Sequence, residues 1–453
     1  MTYQVALVSL GCAKNLVDSE IMMGILEQQG HHLVYAPEEA EVVIINTCGF
    51  IETAKEESIH EILACVALKE SHHTKWVMVA GCLYQRYPEE LPREIPEVDA
   101  WLGTASYTKI AQALAELEQR EADHTTATAK VARSYHGAPE EYLPHAHLPR
   151  KQATLAATAY LKIADGCDNH CSYCIIPSIR GSYRSRSIAD IYHEAQRLIR
   201  QGVQEICLIA QDTTRYGLDL YGSLQLTELC RELLQLPGLL WLRLLYCHPK
   251  HLTRELLELM GQEERLCSYL DLPLQHSEDR ILTQMNRRVT AAQTRELIAL
   301  ARELVPDLML RTTFIVGFPS ETEEEFAALC RFIQEVPFDH LGVFPYSQEE
   351  GTPGAEMSGQ VSQRTKDKRV HTLLALQQKI VPQQLQRWLG REMEVLVERT
   401  SSPFEGAGRF AGQAPDVDSL VLLTSSTPLT VGEVVTVTIT ALDGYDLRGV
   451  RSP

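Results

Sequence analysis

Gly166-Cys167-Asp168-Asn169-His170-Cys171-Ser172-Tyr173-Cys174 carries three cysteines at a C-x3-C-x2-C spacing. Three thiolates crowded into one loop can hold three corners of a four-iron four-sulfur cluster and leave the fourth iron without a protein ligand. An open iron is a place where a small molecule can be bound and transformed. The plainer alternatives are a zinc site or a cluster of buried thiols. Structural zinc sites close with a fourth Cys or His, usually from a second paired motif, and no further C-x2-C pair occurs in the chain. His170 lies too close within the loop to complete a tetrahedron without strain.

The loop follows the apolar run Tyr160 to Ala164, the first of six strand-like runs. The others are Ile206 to Ala210, Trp241 to Tyr246, Tyr269 to Leu274, Arg311 to Val316 and Leu341 to Tyr346. Helical patterns separate them, among them Ile188 to Gln201, Leu224 to Leu236, Ala291 to Leu304 and Glu323 to Glu335. Such alternation makes the strands parallel, and six β/α units predict a partial (β/α)6 barrel whose active groups gather at strand carboxyl ends. The cysteine loop follows the first strand, where that rule puts chemistry. Polar groups follow others: Gln211-Asp212-Thr213 the second, Gln275-His276 the fourth and Gly317-Phe318-Pro319-Ser320-Glu321 the fifth. They are candidate ligand contacts, although Glu321 also suits the acidic first turn of a following helix.

A second set of three cysteines is spread widely. Cys12, Cys48 and Cys82 lie 36 and 34 residues apart, and each closes an apolar, β-branched run: Val5 to Cys12, Val42 to Cys48 and Trp76 to Cys82. Such runs read as buried strands of a parallel, Rossmann-like sheet, with helical patterns such as Asn15 to Gln29 between them. Parallel strands bring their carboxyl ends to one edge, so the three thiols should converge. Gly11, Gly49 and Gly81 flank them and let backbone approach a bulky group closely. Ordinary core cysteines are the alternative, but the same place in three successive units favours a second three-cysteine cluster. Cys65, Cys207, Cys230, Cys247, Cys267 and Cys330 share no spacing and read as packing residues.

At 453 residues the chain exceeds one ordinary core and suggests about three α/β or β domains. Residues 121 to 150, with Pro139, Pro144 and Pro149, read as a linker or loose hairpin. His145 and His147 invite a metal reading there, yet paired histidines in a polar connector are usually solvated. After a basic, Gln-rich helical stretch around Arg364 to Arg387, the chain turns β-rich from about residue 391. Met393 to Thr400, Ser419 to Thr424 and Val434 to Leu442 suggest a small OB-like barrel.

Acidic residues outnumber basic ones 60 to 42, a formal charge of −18, which disfavours a polyanion as main partner and suits a basic one. The bias peaks in residues 1 to 120, with eight Lys and Arg against eighteen Asp and Glu, a balance of −10. Residues 384 to 453 hold six Arg, no Lys and nine Asp and Glu, a balance of −3. Acidic surfaces also serve solubility alone. Twelve cysteines over this length do not form a secreted disulfide scaffold, so reduced thiols and a cytoplasmic location are expected. The start lacks the basic residues of a signal peptide, and no run reaches the roughly eighteen apolar residues of a spanning helix. No membrane partner is expected.

The Cys167 triplet resembles that of the radical S-adenosylmethionine (SAM) enzymes, and the whole chain resembles a methylthiotransferase of that superfamily. Ser9-Leu10-Gly11-Cys12-Ala13-Lys14-Asn15-Leu16-Val17-Asp18-Ser19-Glu20 carries the resemblance. Further matches are Arg180-Gly181 with Arg184 and Arg186, Tyr216-Gly217 with Asp219-Leu220-Tyr221-Gly222, and Gly412-Gln413-Ala414-Pro415-Asp416-Val417-Asp418. Together they resemble the branch that modifies an aspartate of the small-subunit ribosomal protein S-twelve, free or on the ribosome. Ser320 departs from the pattern, since glycine is expected before Glu321.

The resemblance implies an amino-terminal cluster domain over residues 1–120, a linker over 121–150, a radical SAM domain over 151–383 and a TRAM domain over 384–453. It implies two 4Fe-4S clusters: an auxiliary one on Cys12, Cys48 and Cys82, and a SAM-cleaving one on Cys167, Cys171 and Cys174. Tyr173 would pack beside the latter, with Gln211, Asp212, Gln275, Gly317 and Glu321 toward SAM. One SAM would methylate a sulfur at the auxiliary cluster, and a second would be split to a radical that removes hydrogen from the aspartate β-carbon. The clusters must then face a shared cavity, and no general-base pair is expected. Arg180, Arg184 and Arg186 could orient a carboxylate, with surface pairing the plainer alternative. A low-potential electron donor is a further implied partner, and direct tRNA binding is disfavoured. The nearest rival is a tRNA-adenosine methylthiotransferase, whose first motif would read Gly-Cys-Gln-Met-Asn and whose terminal barrel should be basic. An electron-transfer iron-sulfur protein is a second rival, but carriers usually close all four corners with cysteine.

Overall fold

A computed structural model describes residues 1–71, 73–122, 132–139, 143 and 145–452. The amino-terminal strands β1 (Gln4–Ser9), β2 (His32–Val34), β3 (Val42–Thr47), β4 (Trp76–Gly81), β5 (Ala100–Leu102) and β6 (Arg133–Tyr135) build one sheet. Its order is β2-β1-β3-β4-β5-β6, with every pair parallel. β3 and β4 are buried along their whole length, which is why they read as continuous apolar runs. Each buried Val or Ile there contributes roughly 1.5–3 kcal/mol. The strands that precede Cys12, Cys48 and Cys82 are immediate neighbours. β6 lies within the stretch expected to be a linker, and its Arg-Ser-Tyr sequence is too short and polar to show as a run. Residues 123–131, 140–142 and 144 of that stretch, Pro144 included, lie outside the described residues.

Helix α1 (Ala13–Gln28) leads from β1 toward β2 and buries Lys14, Asn15, Asp18, Ser19 and Glu20 along with its apolar residues. It lacks a polar face because it is covered twice, by its own sheet and by β7 (Thr158–Lys162), the first strand of the next domain. Gly24 permits that approach, for a Cβ there would lie 2.6 Å from the Arg150 nitrogen. The charges buried at this seam are paired: Asp18 with Lys162 at 2.5 Å, Glu20 with Arg150 at 2.5 Å, and Arg150 with Glu194 at 2.9 Å. Such pairs add little net stability, but removing one partner costs about 3–5 kcal/mol. They fix how one domain sits on the other.

After β7, two short antiparallel strands, β8 (Ala164–Asp165) and β9 (Arg184–Ser185), frame the cysteine loop. β10 (Glu205–Ile209) and β11 (Trp241–Leu244) extend β7 in the order β11-β10-β7. β12 (Tyr269–Asp271), β13 (Met309–Val316) and β14 (His340–Pro345) form a second parallel trio. A parallel bridge between Leu242 and Leu266 joins the trios, so the six strands make the expected partial barrel. The helix Gln363–Leu385 packs on β14 and β13.

β15 (Glu392–Ser402), β16 (Glu405–Arg409), β17 (Val421–Thr424), β18 (Val434–Asp443) and β19 (Asp446–Arg451) close into a small barrel in the order β15-β16-β17-β19-β18. β16 and β19 escape an apolar reading because they are rich in Gly and charged residues. Gly408 is needed there, since a Cβ would lie 2.1 Å from the Leu396 oxygen of the neighbouring strand. Glu205, paired within the second domain to Arg243 at 2.7 Å, locks this barrel to that domain through Arg409 at 2.5 Å. Burial alone would raise its carboxyl, but Arg409 and Arg243 prevail and hold it at about 2. Among the described residues, no helix is long and apolar enough to cross a membrane.

Candidate active site

β1, β3 and β4 end side by side, and Asn15 ties together the residues just past them. Its Nδ2 donates to the carbonyls of Leu10 (3.2 Å) and Thr47 (2.9 Å), and its Oδ1 accepts from Arg180 Nη2 (2.6 Å) and Cys82 Sγ (3.5 Å). Asn46 Nδ2 in turn donates to the Asn15 backbone carbonyl at 2.8 Å. Gly11 adopts φ +88°, and a Cβ there would lie 2.8 Å from Cys48 Cβ; one at Gly49 would lie 2.8 Å from Leu83 Cα. These two glycines let the Cys12, Cys48 and Cys82 segments close on one another. Burial works to raise the Cys12 thiol, but Lys14 and Arg180 outweigh it and bring it below its ordinary value. At Cys48, burial and the neighbouring Cys82 act together and push the thiol up to about 12.

The Cys167 loop is shaped locally. Gly166, at φ +82°, lies so near the returning strand that a Cβ would meet the Ser182 oxygen at 2.0 Å. Cys167 N donates to Gly181 O at 3.0 Å, Cys174 N to Cys171 O at 3.0 Å, and Ser172 Oγ to Gln284 O at 2.6 Å. Arg287 is buried and reaches Cys171 Sγ at 3.8 Å and the Tyr173 hydroxyl at 3.4 Å. Tyr173 packs against a cluster containing Phe318, Ile281, Met285 and Tyr346. Burial raises Cys167 to about 11 and Cys174 further still.

All six thiols line one cavity of about 310 Å³. Its charged lining is Lys14, Arg180 and Arg287, and no carboxylate joins them among the described residues. The thiols are free of disulfides. A single tetrahedral zinc with bonds near 2.3 Å would need sulfurs about 3.8 Å apart. Among the described residues, only Asp212, His248 and His251 bring three ligand atoms within 4.8 Å of one another. In neither thiol triplet do all three sulfurs lie within 4.8 Å of one another, which argues against a single ion and for a larger group. Thiols with a buried arginine at one sulfur of each set, in a cavity of cations without carboxylates, are what an anionic thiolate-held cluster requires.

Of the residues expected to face SAM, Tyr173, Gln211 and Gln275 line the cavity. Asp212 stands behind it, 2.7 Å from Asn169 Nδ2 and 2.8 Å from His251 Nδ1. Burial would raise its carboxyl, but the His251 hydrogen bond and nearby His248 hold it at about 2. Gly317 and Glu321 are not among the lining residues. The Glu321 carboxylate turns back to its own chain, accepting from the Gly317 and Phe318 N–H groups, with Arg369 at 3.4 Å. That turn reaches the site at one remove, because it carries Phe318.

Arg180 and Arg186 do not form surface pairs. Arg180 is buried, bonded to Asp18 (2.9 Å), Asp165 (3.1 Å) and Cys82 Sγ (3.4 Å). Arg186 is buried against Asp190 and Glu194, each at 2.7 Å, while Arg184 donates to the Ser182 and Arg180 carbonyls. The exposed rings of His145 and His147 stack at 5.7 Å and are not among the lining residues.

Sequence reasoning missed several lining residues. Cys247, expected only to pack, lines the cavity with Tyr246 and His248; all three follow β11, where the strand-end rule would have found them. Lys14 and Asn15 stood within the first motif without an assigned role. Arg287 follows a short helix, Asp279–Gln284, and no pattern announces it.

Residues 4–103 match the uncharacterized protein family UPF0004, residues 161–333 the radical SAM superfamily and residues 389–451 the TRAM domain. Proteins named ribosomal protein uS12 methylthiotransferase RimO, from Desulforamulus reducens and Geobacter sulfurreducens, are each 46% identical over 98% of this chain and 98% of their own. The protein of that name from Clostridioides difficile is 45% identical over the same shares. Among solved structures, the radical SAM methyltransferase TsrM from Kitasatospora setae, with cobalamin and a 4Fe-4S cluster bound, superposes with a TM-score of 0.56. It is 17% identical over 78% of this chain and 77% of its own, a likeness of fold. The cobalamin-dependent SAM radical enzyme OxsB gives a TM-score of 0.51 at 12% identity, over 84% of this chain and 58% of its own. With 46% identity sustained over 98% of its length and a radical SAM match across its central domain, the chain belongs to the RimO family of radical SAM methylthiotransferases.

Proposed function

We propose that the enzyme attaches a methylthio group to the β-carbon of an aspartate in ribosomal protein uS12, the protein for which its relatives are named. The observation that carries this reading is the single cavity lined by both cysteine triplets. Cys12, Cys48 and Cys82 would hold one 4Fe-4S cluster there, and Cys167, Cys171 and Cys174 another. Tyr173, Gln211 and Gln275 would contact SAM, with Asp212, Gly317 and Glu321 shaping that pocket from behind.

When bound, SAM and the clusters supply the methyl group, the sulfur and the oxidising power, none of which a side chain provides. The chain's own residues do the rest. Arg180 and Arg287 each donate to a cysteine sulfur, favouring the anionic form that burial disfavours. The Asp18, Lys162, Asp165 and Arg180 network holds the two domains in one geometry, so that reacting groups meet at fixed separation. Phe50 and Ile176 line the cavity and help exclude water from the reacting atoms. The acidic balance of residues 1–120 suits a basic ribosomal protein. A low-potential electron donor and a cytoplasmic setting complete the reading.

Mass spectrometry of uS12 and of bulk tRNA, each incubated with reconstituted enzyme, SAM, sulfide and a strong reductant, tests it. A methylthio mass gain on uS12 is expected. A gain on tRNA alone overturns the substrate assignment.

A further inference from the structure

Three cations line the cavity, and two of them are already engaged. Arg180 is held by Asp18 and Asp165, and Arg287 by the Pro273 carbonyl, the Tyr173 hydroxyl and Cys171. Lys14 is buried, at 8% exposure, and its side chain opens only onto the cavity, with no hydrogen bond or ion pair to its ammonium among the described residues. It lies over the ring of Tyr246, 3.1 Å from the centroid. A buried ammonium costs several kcal/mol unless it is paired, and a desolvated cation–π contact returns only about 2 kcal/mol. The acidic group that attracts the Lys14 ammonium most is the Cys12 thiol, and that sulfur is given over to the cluster, so the ammonium keeps its hydrogen-bonding capacity for an entering anion.

Two further observations point the same way. Tyr246 adopts φ +61°, a left-handed backbone that is costly for an aromatic residue, and its N–H is fixed to Asp271 Oδ2 at 2.8 Å. Strain is retained where it holds that ring beneath the ammonium. The cavity lining also contains no carboxylate among the described residues, so an entering carboxylate meets attraction without repulsion.

We propose that Lys14 is the specificity-determining residue that receives the side-chain carboxylate of the substrate, the group that separates aspartate from asparagine. The inference rests on the aspartate reading above and deepens it. Lys14 stands two residues from Cys12, at the end of the cavity belonging to the strand-end triplet. A carboxylate held there puts the adjoining β-carbon beside the group expected to deliver sulfur. The carboxylate of SAM is the same chemistry from a second source, and the experiment separates the two.

Reconstituted wild-type enzyme, Lys14→Met and Lys14→Gln are compared for iron content, SAM affinity, and binding and methylthiolation of uS12. The same is done with uS12 whose modified aspartate, located by mass spectrometry of the wild-type product, is changed to asparagine. Wild-type enzyme is expected to prefer the aspartate form by about 10–100-fold, the range for a hydrogen bond to a charged group. Both variants lose that preference while keeping their iron. An undiminished preference overturns the proposal. A fall in SAM affinity that accounts for the lost modification also overturns it, by giving the ammonium to the cofactor's carboxylate, and iron loss in both variants overturns it by making Lys14 structural. If wild-type enzyme ignores uS12, the substrate reading fails instead. Lys14 is then judged by N-acetylaspartate amide against N-acetylasparagine amide, read by the electron paramagnetic resonance of the reduced clusters. A response to the aspartyl probe in wild type alone supports the assignment, and any other pattern overturns it.

Discussion

The two cysteine triplets reach one cavity by opposite routes. Cys167, Cys171 and Cys174 share a single eight-residue stretch, shaped by its own hydrogen bonds and by Gly166 against Ser182. Cys12, Cys48 and Cys82 come together only when β1, β3 and β4 pair and Asn15 ties their ends. The first site is a local object carried by a domain, whereas the second is a consequence of the domain having folded. Each nevertheless acquires a buried arginine at one sulfur, Arg180 at 3.4 Å and Arg287 at 3.8 Å. The electrostatic requirement is thus the same although the scaffolding differs.

The largest effect is expected from removing either triplet. Changing Cys12, Cys48 and Cys82 together to alanine, or Cys167, Cys171 and Cys174 together, should each abolish methylthiolation and remove roughly half of the bound iron. Only the second set should abolish reductive cleavage of SAM to deoxyadenosine. Methylthiolation that survives loss of the strand-end set would break the comparison outright.

The seams come next. Lys162→Met leaves Asp18 and Asp165 buried without their ammonium and should cost about 3–5 kcal/mol in urea unfolding, with iron lost from the strand-end site. Arg409→Met strips one of two guanidinium partners from Glu205 and should cost a comparable amount, but far from the cavity, leaving iron content intact. The pH dependence follows in sign. Glu205 is held at about 2 when folded against roughly 4.3 when unfolded. Its contribution is therefore fully present above about pH 5 and is lost as pH falls toward the folded value. Arg409→Met should accordingly move acid unfolding to higher pH, which circular dichroism can follow.

Smaller and more local effects are expected from glycine. Gly11→Ala forces a side chain onto a backbone at φ +88°, with its Cβ 2.8 Å from that of Cys48, at a cost of about 1–3 kcal/mol. Iron should fall at the strand-end site while SAM cleavage persists. Gly166→Ala should do the reverse, since its clash is with Ser182 within the loop's own hairpin.

What could be read from the sequence divides along the same line. Buried parallel strands are continuous apolar runs, so β1, β3, β4 and the six barrel strands were visible, and the cysteines were visible because one set is tightly spaced in a loop and the other recurs at strand ends. β6, β16 and β19 were not, being short, polar or rich in glycine. Side-chain direction was least legible. Glu321 was expected to face a ligand, yet its carboxylate closes its own turn. Arg180 was weighed as a surface pair or a carboxylate clamp, yet it is a buried link whose partner Asp18 lies 162 positions away. Neither choice is settled by neighbours in sequence, because each depends on which elements pack alongside.

Ser320 gives the smallest effect and the finest test of how the loop site is supported. It stands where the family resemblance led us to expect glycine, and it adopts φ +66°, a left-handed backbone that costs a non-glycine residue about 1–2 kcal/mol. Its Oγ donates to the Ser358 carbonyl at 3.2 Å, which offsets part of that cost. Ser320→Gly should therefore raise stability by about 1 kcal/mol or less, measurable as a shift of the urea midpoint. The turn's link to the Cys167 loop runs through Phe318, which belongs to the cluster that Tyr173 packs against, and through Glu321, which fixes the Phe318 N–H; the substitution alters neither. SAM cleavage should then be preserved as stability rises. A loss of cleavage would mean that strain in this distant turn tunes the loop site, which would then depend on its whole domain as much as the strand-end site does.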